Sequence, residues 1–317
     1  MPDDELIDWL LTAETPSIRY ITLVELLDRP EEDAYVQAAR SSLHSSGPVP
    51  AILAEQQEAG YWLLDDNFYG PKYRGSHWSM MLLEELRANP ADPRVRGGAN
   101  YILEMISGGL EVTSGIDNWV ETPNPGWDCL WGNMLRYLVY TRYSRDPRTQ
   151  PIIKRLAHNI SDGKSVCKAN AWLPCAWGVA RALWGLSAIP DDEQTDEVKQ
   201  AIALGVEFLL DQYDLLAAAY PSPDGDVSRY WHKLQFPLFY QCDLLFVLRV
   251  LRDLGQLGHP RAQPAIDWLI EKRQGSGRWR GSSPFRSRTW GLGEREDTNR
   301  WVTLQALLIL KEAGRAA

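Results

Sequence analysis

Six segments of the chain are apolar nearly all the way round a helical wheel: Ile18 to Leu27, His77 to Leu86, Cys129 to Tyr140, Cys175 to Ile189, Tyr240 to Leu254 and Arg300 to Leu310. A helix of that kind must be covered on most of its sides. Six segments with a single apolar stripe precede them one for one, starting near 3, 50, 93, 147, 195 and 260. After Thr195, for example, the stripe is Val198, Ile202, Val206 and Leu209, with Glu197, Lys199 and Glu207 off it. Glu31 to Ser42 adds one more helix, and no stretch shows a convincing Val/Ile/Thr strand pattern. Strict alternation of half-buried and fully buried helices predicts an all-α fold, an (α/α)6 toroid with an inner ring wrapped by an outer one, as one domain over residues 1–317.

Short repeats punctuate this alternation. Asp146-Pro-Arg-Thr-Gln-Pro and His259-Pro-Arg-Ala-Gln-Pro open two outer segments, and Asp92-Pro-Arg opens a third. Proline just inside a polar cap marks a helix start, while the second proline, Pro151 or Pro264, is expected to remove one ladder bond and bend the opening turns. Gln57 to Trp62 and Gln274 to Trp279 both read Gln-x-x-Gly-x-Trp. Each copy falls where an outer helix ends, so the glycine is expected to supply a left-handed cap and the tryptophan to fold back and seal the turn. Asp162-Gly163-Lys164 and Gly115 to Trp119 are degenerate copies.

Gln-x-x-Gly-x-Trp clasps in a double-ring helical chain resemble the repeats of squalene and oxidosqualene cyclases and of the protein prenyltransferase β-subunits. The resemblance covers the whole chain as architecture. It implies an enzyme acting on a hydrophobic, isoprenoid-type substrate held in a central aromatic cup. The Asp-x-Asp-Asp acid of the squalene-type cyclases is absent, as is the Asp-Asp-x-x-Asp of ionising terpene synthases. The prenyltransferases hold zinc with Asp, Cys and His at inner-helix starts, and His77, Cys129 and Cys175 stand at such starts here, with Asp128 beside Cys129. The resemblance thus implies a zinc site, although the Asp and Cys are adjacent and the His comes first.

In a toroid the inner helices all begin at one end, so their first residues and preceding loops line the cup. That level carries Tyr20, Trp78, Trp131, Trp177, Tyr240, Arg300 and Trp301. With 14 Trp and 13 Tyr against 6 Phe, the chain invests in aromatics that also carry a polar atom. Such a ring either encloses an apolar pocket on the order of a few hundred Å³ or is itself the filling. The loop Tyr220 to Pro237 concentrates titratable groups and reads as a lid or a plain connector; Asp226 and His232 in it, with Asp243 after it, are the candidate acids and bases. The arginine-rich segment 272–300 either grips an anion at the rim or stacks on Trp279, Trp290 and Trp301 and pairs with Glu294, Glu296 and Asp297.

Two other function classes fit the same frame. A carbohydrate-active toroid, hydrolase or lyase, would draw on Asp128, Asp226, Asp243, Tyr230, His232 and Asn133. A non-catalytic binding scaffold would need none of them. The net charge of -9 disfavours nucleic acid. An acidic Met1 to Leu11 and the lack of any apolar run of about eighteen residues lead to the expectation of a cytoplasmic protein without a transmembrane segment.

Overall fold

The structure, a computed structural model, describes residues 4–108 and 126–315, so the degenerate clasp at 115–119 lies outside the described residues. The helices run in order α1 (Asp4–Leu11), α2 (Pro16–Ile21, continued by a π-helical turn over Thr22–Leu26), α3 (Ala34–Ser45), α4 (Pro48–Ala54), α5 (Ser76–Glu85), α6 (Pro93–Ser107), α7 (Asp128–Tyr140) and α8 (Gln150–Ser161). A short antiparallel hairpin follows, β1 (Val166–Cys167) with β2 (Leu173–Pro174). The chain then forms α9 (Ala176–Leu186), α10 (Asp196–Glu207, continued by a π-helical turn over Phe208–Gln212), α11 (Leu244–Asp253), α12 (Gln263–Glu271) and α13 (Arg295–Glu312). The fold is all-α in character, and no helix among the described residues is long and apolar enough to cross a membrane.

Each of the six apolar segments is a helix, namely α2, α5, α7, α9, α11 and α13, and every residue of α5 is buried. Polar caps start several helices as their sequences imply: Asp33 accepts from the Tyr35 amide at 2.7 Å, Asp92 from Arg94 at 2.8 Å and Asp243 from Phe246 at 2.7 Å. The second proline of the Pro-x-x-x-Pro starts does not bend anything. Helices α8 and α12 begin one residue before Pro151 and Pro264, after a separate turn over the first proline, so these prolines occupy first-turn positions whose amides have no intrahelical acceptor.

The two clasps are the same object built twice. Trp62 Nε1 donates to the Ile52 carbonyl at 2.7 Å, and Trp279 Nε1 to Leu269 at 2.7 Å, each ten residues back in the preceding outer helix or its end. Their backbone amides donate to hydroxyls on the next buried helix, Ser76 and Thr303, both at 3.0 Å. Gly60 and Gly277 take φ of 94° and 78°, where an L side chain would be strained. Both indoles are completely buried.

The buried helices touch in sequence: α5 on α7, α7 on α9, α9 on α11, α11 on α13 and α13 on α2. The circuit closes from α2 to the end of α5, where Ser17 Oγ donates to the Leu86 carbonyl at 2.7 Å and Glu25 meets Arg87 at 2.6 Å. Gly132 and Gly185 let α7 and α9 approach backbone to backbone; a Cβ on Gly132 would lie 2.1 Å from the Arg181 carbonyl oxygen.

Two layers of contact cross this circuit. Near the helix starts, Trp78 of α5 meets Phe239, just ahead of α11, edge to face at 5.4 Å. Near the helix ends, Glu85 of α5 pairs with Arg249 of α11 at 2.6 Å, and Arg136 of α7 bridges Glu84 and Asp253 at 3.0 Å each. Arg252 extends this ionic layer to Glu25 of α2 at 3.6 Å. The carboxylates and guanidiniums compensate one another there, which is the condition for keeping charge in an interior.

Candidate functional site

The structure disperses the residues expected to ring a common cup, because sharing a level along a helix does not fix the direction a side chain takes around it. Trp131 turns outward to α8, under the guanidinium of Arg155 at 5.4 Å. Tyr20 turns toward α3, donating to Glu31 at 2.8 Å and packing beside Leu23, Val36 and Ala39. Trp301 is buried in a stack with Phe236 at 4.4 Å. Arg300 is not a free cation at a rim: Glu294 and Asp297 neutralise it at 2.5 and 2.8 Å, and its Nε donates to the Trp9 carbonyl.

The candidate acids and bases are likewise apart. Asp226 is exposed, and His232 is exposed with its ring nitrogen on the Leu216 carbonyl at 2.7 Å. Asp243 is buried as the cap of α11, and desolvation raises its carboxyl to about 7. Its second oxygen, with Gln235 Oε1, Gln305 Oε1 and Trp301 Nε1, has no partner, and these residues line a cavity of about 10 Å³. That is room for one water with several polar partners.

His77, Cys129 and Cys175, the residues expected to hold zinc, lie at the starts of α5, α7 and α9. Among the described residues no three His, Cys, Asp or Glu side chains lie close enough together to hold a metal ion. His77 is fully buried, its Nδ1 3.1 Å from the Tyr137 hydroxyl, and burial lowers its pKa to about 3. Cys175 caps α9, its sulfur accepting from the Gly178 amide at 3.4 Å. Cys129 neighbours Cys167, Cys242 and Asp128, and burial pushes its thiol up to about 12.

What the helix starts do bring together is an aromatic mouth. Trp177 and Tyr240, both expected there, are half-buried and flank it with Tyr69 and Tyr230. Tyr69 packs on Trp78 at 4.9 Å, Tyr240 on Trp78 at 6.2 Å, and Trp177 on Tyr230 at 6.0 Å. Beneath them Tyr73, Phe239 and Phe285 close the floor at 4.7 to 5.7 Å from one another, with the Tyr73 and Tyr240 hydroxyls 3.4 Å apart. The exposed Lys72 ammonium stands over both Tyr69 and Tyr240, at 5.7 and 5.4 Å. Sequence reading missed Tyr69, Lys72 and Tyr73 because they sit in a loop rather than on a helix start. The dipeptide Phe68-Tyr69 ahead of Gly70-Pro71 was the available signal.

Two tryptophans keep large exposed surfaces, Trp127 ahead of α7 and Trp172 in the hairpin turn. Both have left-handed backbones, with φ of 66° and 62°. Bulky residues held there cost about 1 to 3 kcal/mol each and collect at functional surfaces. Asn170 Nδ2 ties the hairpin to the loop after α10 by donating to the Pro221 carbonyl at 2.9 Å. The arginines of 272–300 mostly stack or bond to the backbone: Arg273 lies over Trp279, Arg278 over Trp9 and Arg288 over Tyr73.

No family model matches this chain, and no curated protein matches it. A solved structure, the crystal structure of a protein from Actinoplanes, is similar over 94% of this chain and 90% of that one, with 15% identity and a TM-score of 0.42.

Proposed function

We propose that the circuit of α2, α5, α7, α9, α11 and α13 is the inner ring of an (α/α)6 toroid, and that the chain is a binding module for a small isoprenoid-type ligand at the mouth of that ring. The observation that carries this reading is the contrast between two levels. The interior is crossed by protein contacts, Trp78 with Phe239 and Glu85 with Arg249, whereas half-exposed aromatic faces gather at the helix starts. A ligand therefore lies across the rim on Tyr69, Tyr240, Trp177 and Tyr230 instead of entering tail first. Lys72 gives an anionic head a partner. Binding is favoured over cyclisation because Asp243 is committed to capping α11 in the interior and Asp226 stands exposed to solvent, which suits neither to protonating an apolar ligand.

Titration of tryptophan fluorescence with farnesyl diphosphate, farnesol and an oligosaccharide panel tests the reading. Farnesyl diphosphate should bind, Trp177→Ala should abolish the response, and Lys72→Ala should weaken the diphosphate by up to about fivefold while sparing farnesol, the worth of one exposed ion pair. Sugar binding without isoprenoid binding would move the chain to the carbohydrate class. Turnover of the diphosphate would restore the enzyme reading.

A further inference from the structure

The two clasps are built alike, yet the second carries two cations whose donors its structural duties leave unused. In the first, Gln56 commits its side-chain amide to two carbonyls, those of Gly60 and Arg94, each at 2.9 Å. Arg273 holds the corresponding place in the second and repeats the first of these bonds with its Nε, donating to the Gly277 carbonyl at 3.2 Å, which leaves its two terminal nitrogens without an acceptor. Tyr61 of the first clasp packs on Tyr101 at 5.6 Å; its counterpart Arg278 lies over Trp9 at 4.3 Å with its Nε buried and unpartnered. Neither guanidinium pairs with a carboxylate among the described residues. Both line an open cleft of about 430 Å³ beside the start of α1, a volume within the range of small-molecule sites. In the turn that forms part of this lining, the Gln274 and Gly277 amides donate within the clasp at 2.9 Å each, whereas the Gly275 and Ser276 amides and the Ser276 hydroxyl make no hydrogen bond among the described residues. Successive free amides in a tight turn form an anion cradle.

From this surplus of donors we propose that the cleft between α1 and the second clasp is a binding site for a small phosphomonoester. The two guanidiniums are positioned by aromatic rings, Arg278 by Trp9 and Arg273 by Trp279 at 5.6 Å, so they are held in place without using up their N–H groups. A phosphomonoester dianion has three free oxygens to accept from both arginines and from the turn, whereas a carboxylate offers two oxygens and a single charge. Glu5 is the single acid among the described lining residues, and its charge opposes an anion there. The cleft shares no lining residue with the aromatic mouth, so the two sites stand or fall independently.

Equilibrium dialysis of the full-length chain at pH 7 and low ionic strength, with phenyl phosphate, inorganic phosphate, phenol and succinate as probes, tests the assignment. Phenyl phosphate and inorganic phosphate should bind saturably and compete for one site, and phenol should not bind. Variants copied from the first clasp keep the structural contacts: Arg273→Gln retains a donor for the Gly277 carbonyl, and Arg278→Tyr restores the aromatic found at that place. Each should weaken phenyl phosphate at least about fivefold, the double variant should abolish binding, and Glu5→Gln should tighten it by about two- to fivefold. Trp177→Ala, at the mouth, should leave the affinity unchanged. A circular dichroism spectrum unchanged from wild type guards the variants, and the exposed Glu5→Gln decides alone if an arginine variant does not fold. No saturable binding, binding that survives the double variant, an affinity unmoved by Glu5→Gln, or succinate bound in preference to phenyl phosphate would each overturn the assignment.

Discussion

Glu85 and Arg249 meet at 2.6 Å, with a second contact at 3.3 Å, although α5 and α11 are neither consecutive in the chain nor adjacent in the circuit of buried helices. Both side chains are nearly buried, so each is the other's solvation. Arg249→Met alone should cost about 3 to 5 kcal/mol, because it strands a buried carboxylate, whereas adding Glu85→Met should recover most of that loss. Urea unfolding of the two singles and the double, read as a double-mutant cycle, measures it; a double mutant as unstable as the sum of the singles would show that the helices are held by something else.

The clasps predict a pair of equal losses. Trp62→Ala and Trp279→Ala should each destabilise by about 3 to 5 kcal/mol, since each empties a completely buried indole site. Phenylalanine at either site should keep much of the packing yet still lose about 1 kcal/mol with the indole hydrogen bond. Thermal denaturation followed by circular dichroism separates these cases, and a loss below about 1 kcal/mol for the alanine variants would remove the clasps from the list of structural determinants.

Two glycines in helices should respond in opposite senses. Gly132→Ala must push α9 away from α7, because its Cβ would sit 2.1 Å from the Arg181 oxygen, and should cost more than about 2 kcal/mol. Gly97, on α6, has open space where a Cβ would go, and alanine there should stabilise by about 0.4 to 1 kcal/mol. Chemical denaturation midpoints of the two variants give the comparison directly.

His77 and Asp243 should tilt stability against pH in opposite directions. The His77 pKa falls from 6.5 to about 3 on folding, so its contribution is complete above pH 6.5 and is lost as pH falls toward 3. The Asp243 pKa rises from 3.8 to about 7, so its contribution is complete below 3.8 and is lost as pH rises through 7. Between about pH 4 and 6.5 the two slopes oppose each other, so Asp243→Asn should make stability rise more with pH than in wild type, and His77→Gln should make it fall relative to wild type. Unfolding free energies measured at half-unit pH intervals decide; parallel curves for wild type and both variants would contradict the buried placements.

The helices were legible from the sequence because periodicity, caps and proline starts act within a few residues. The clasps were legible for the same reason: a glycine at positive φ followed by an indole is a local device. The mouth was legible only in part. Reading residues by their height along inner helices named Trp78, Trp177 and Tyr240, which neighbour the aromatic mouth, yet Trp131 three positions into α7 points to Arg155 because direction around a helix changes by about 100° per residue. The ionic layer is not legible in sequence, because Glu84, Glu85, Arg136 and Arg249 are isolated charges in apolar helices and only tertiary pairing shows that they compensate one another. Zinc rested on shared helix-start positions alone, which do not fix where side-chain donors point, and among the described residues no group of three His, Cys, Asp or Glu could hold a metal ion.

One contact of the circuit joins the two ends of the described chain: Asp297 accepts from the Thr15 amide at 2.8 Å, and Lys311 meets Asp28 at 2.6 Å. Residues some 280 positions apart must meet before α2 has its second neighbour. A chain emerging from the ribosome can assemble α5 through α11 pair by pair, but α2 waits with one flank bare until α13 has been synthesised. Completion of the fold thus waits on the synthesis of α13, and the nascent chain's exposed α2 flank is the surface that a chaperone would have to cover.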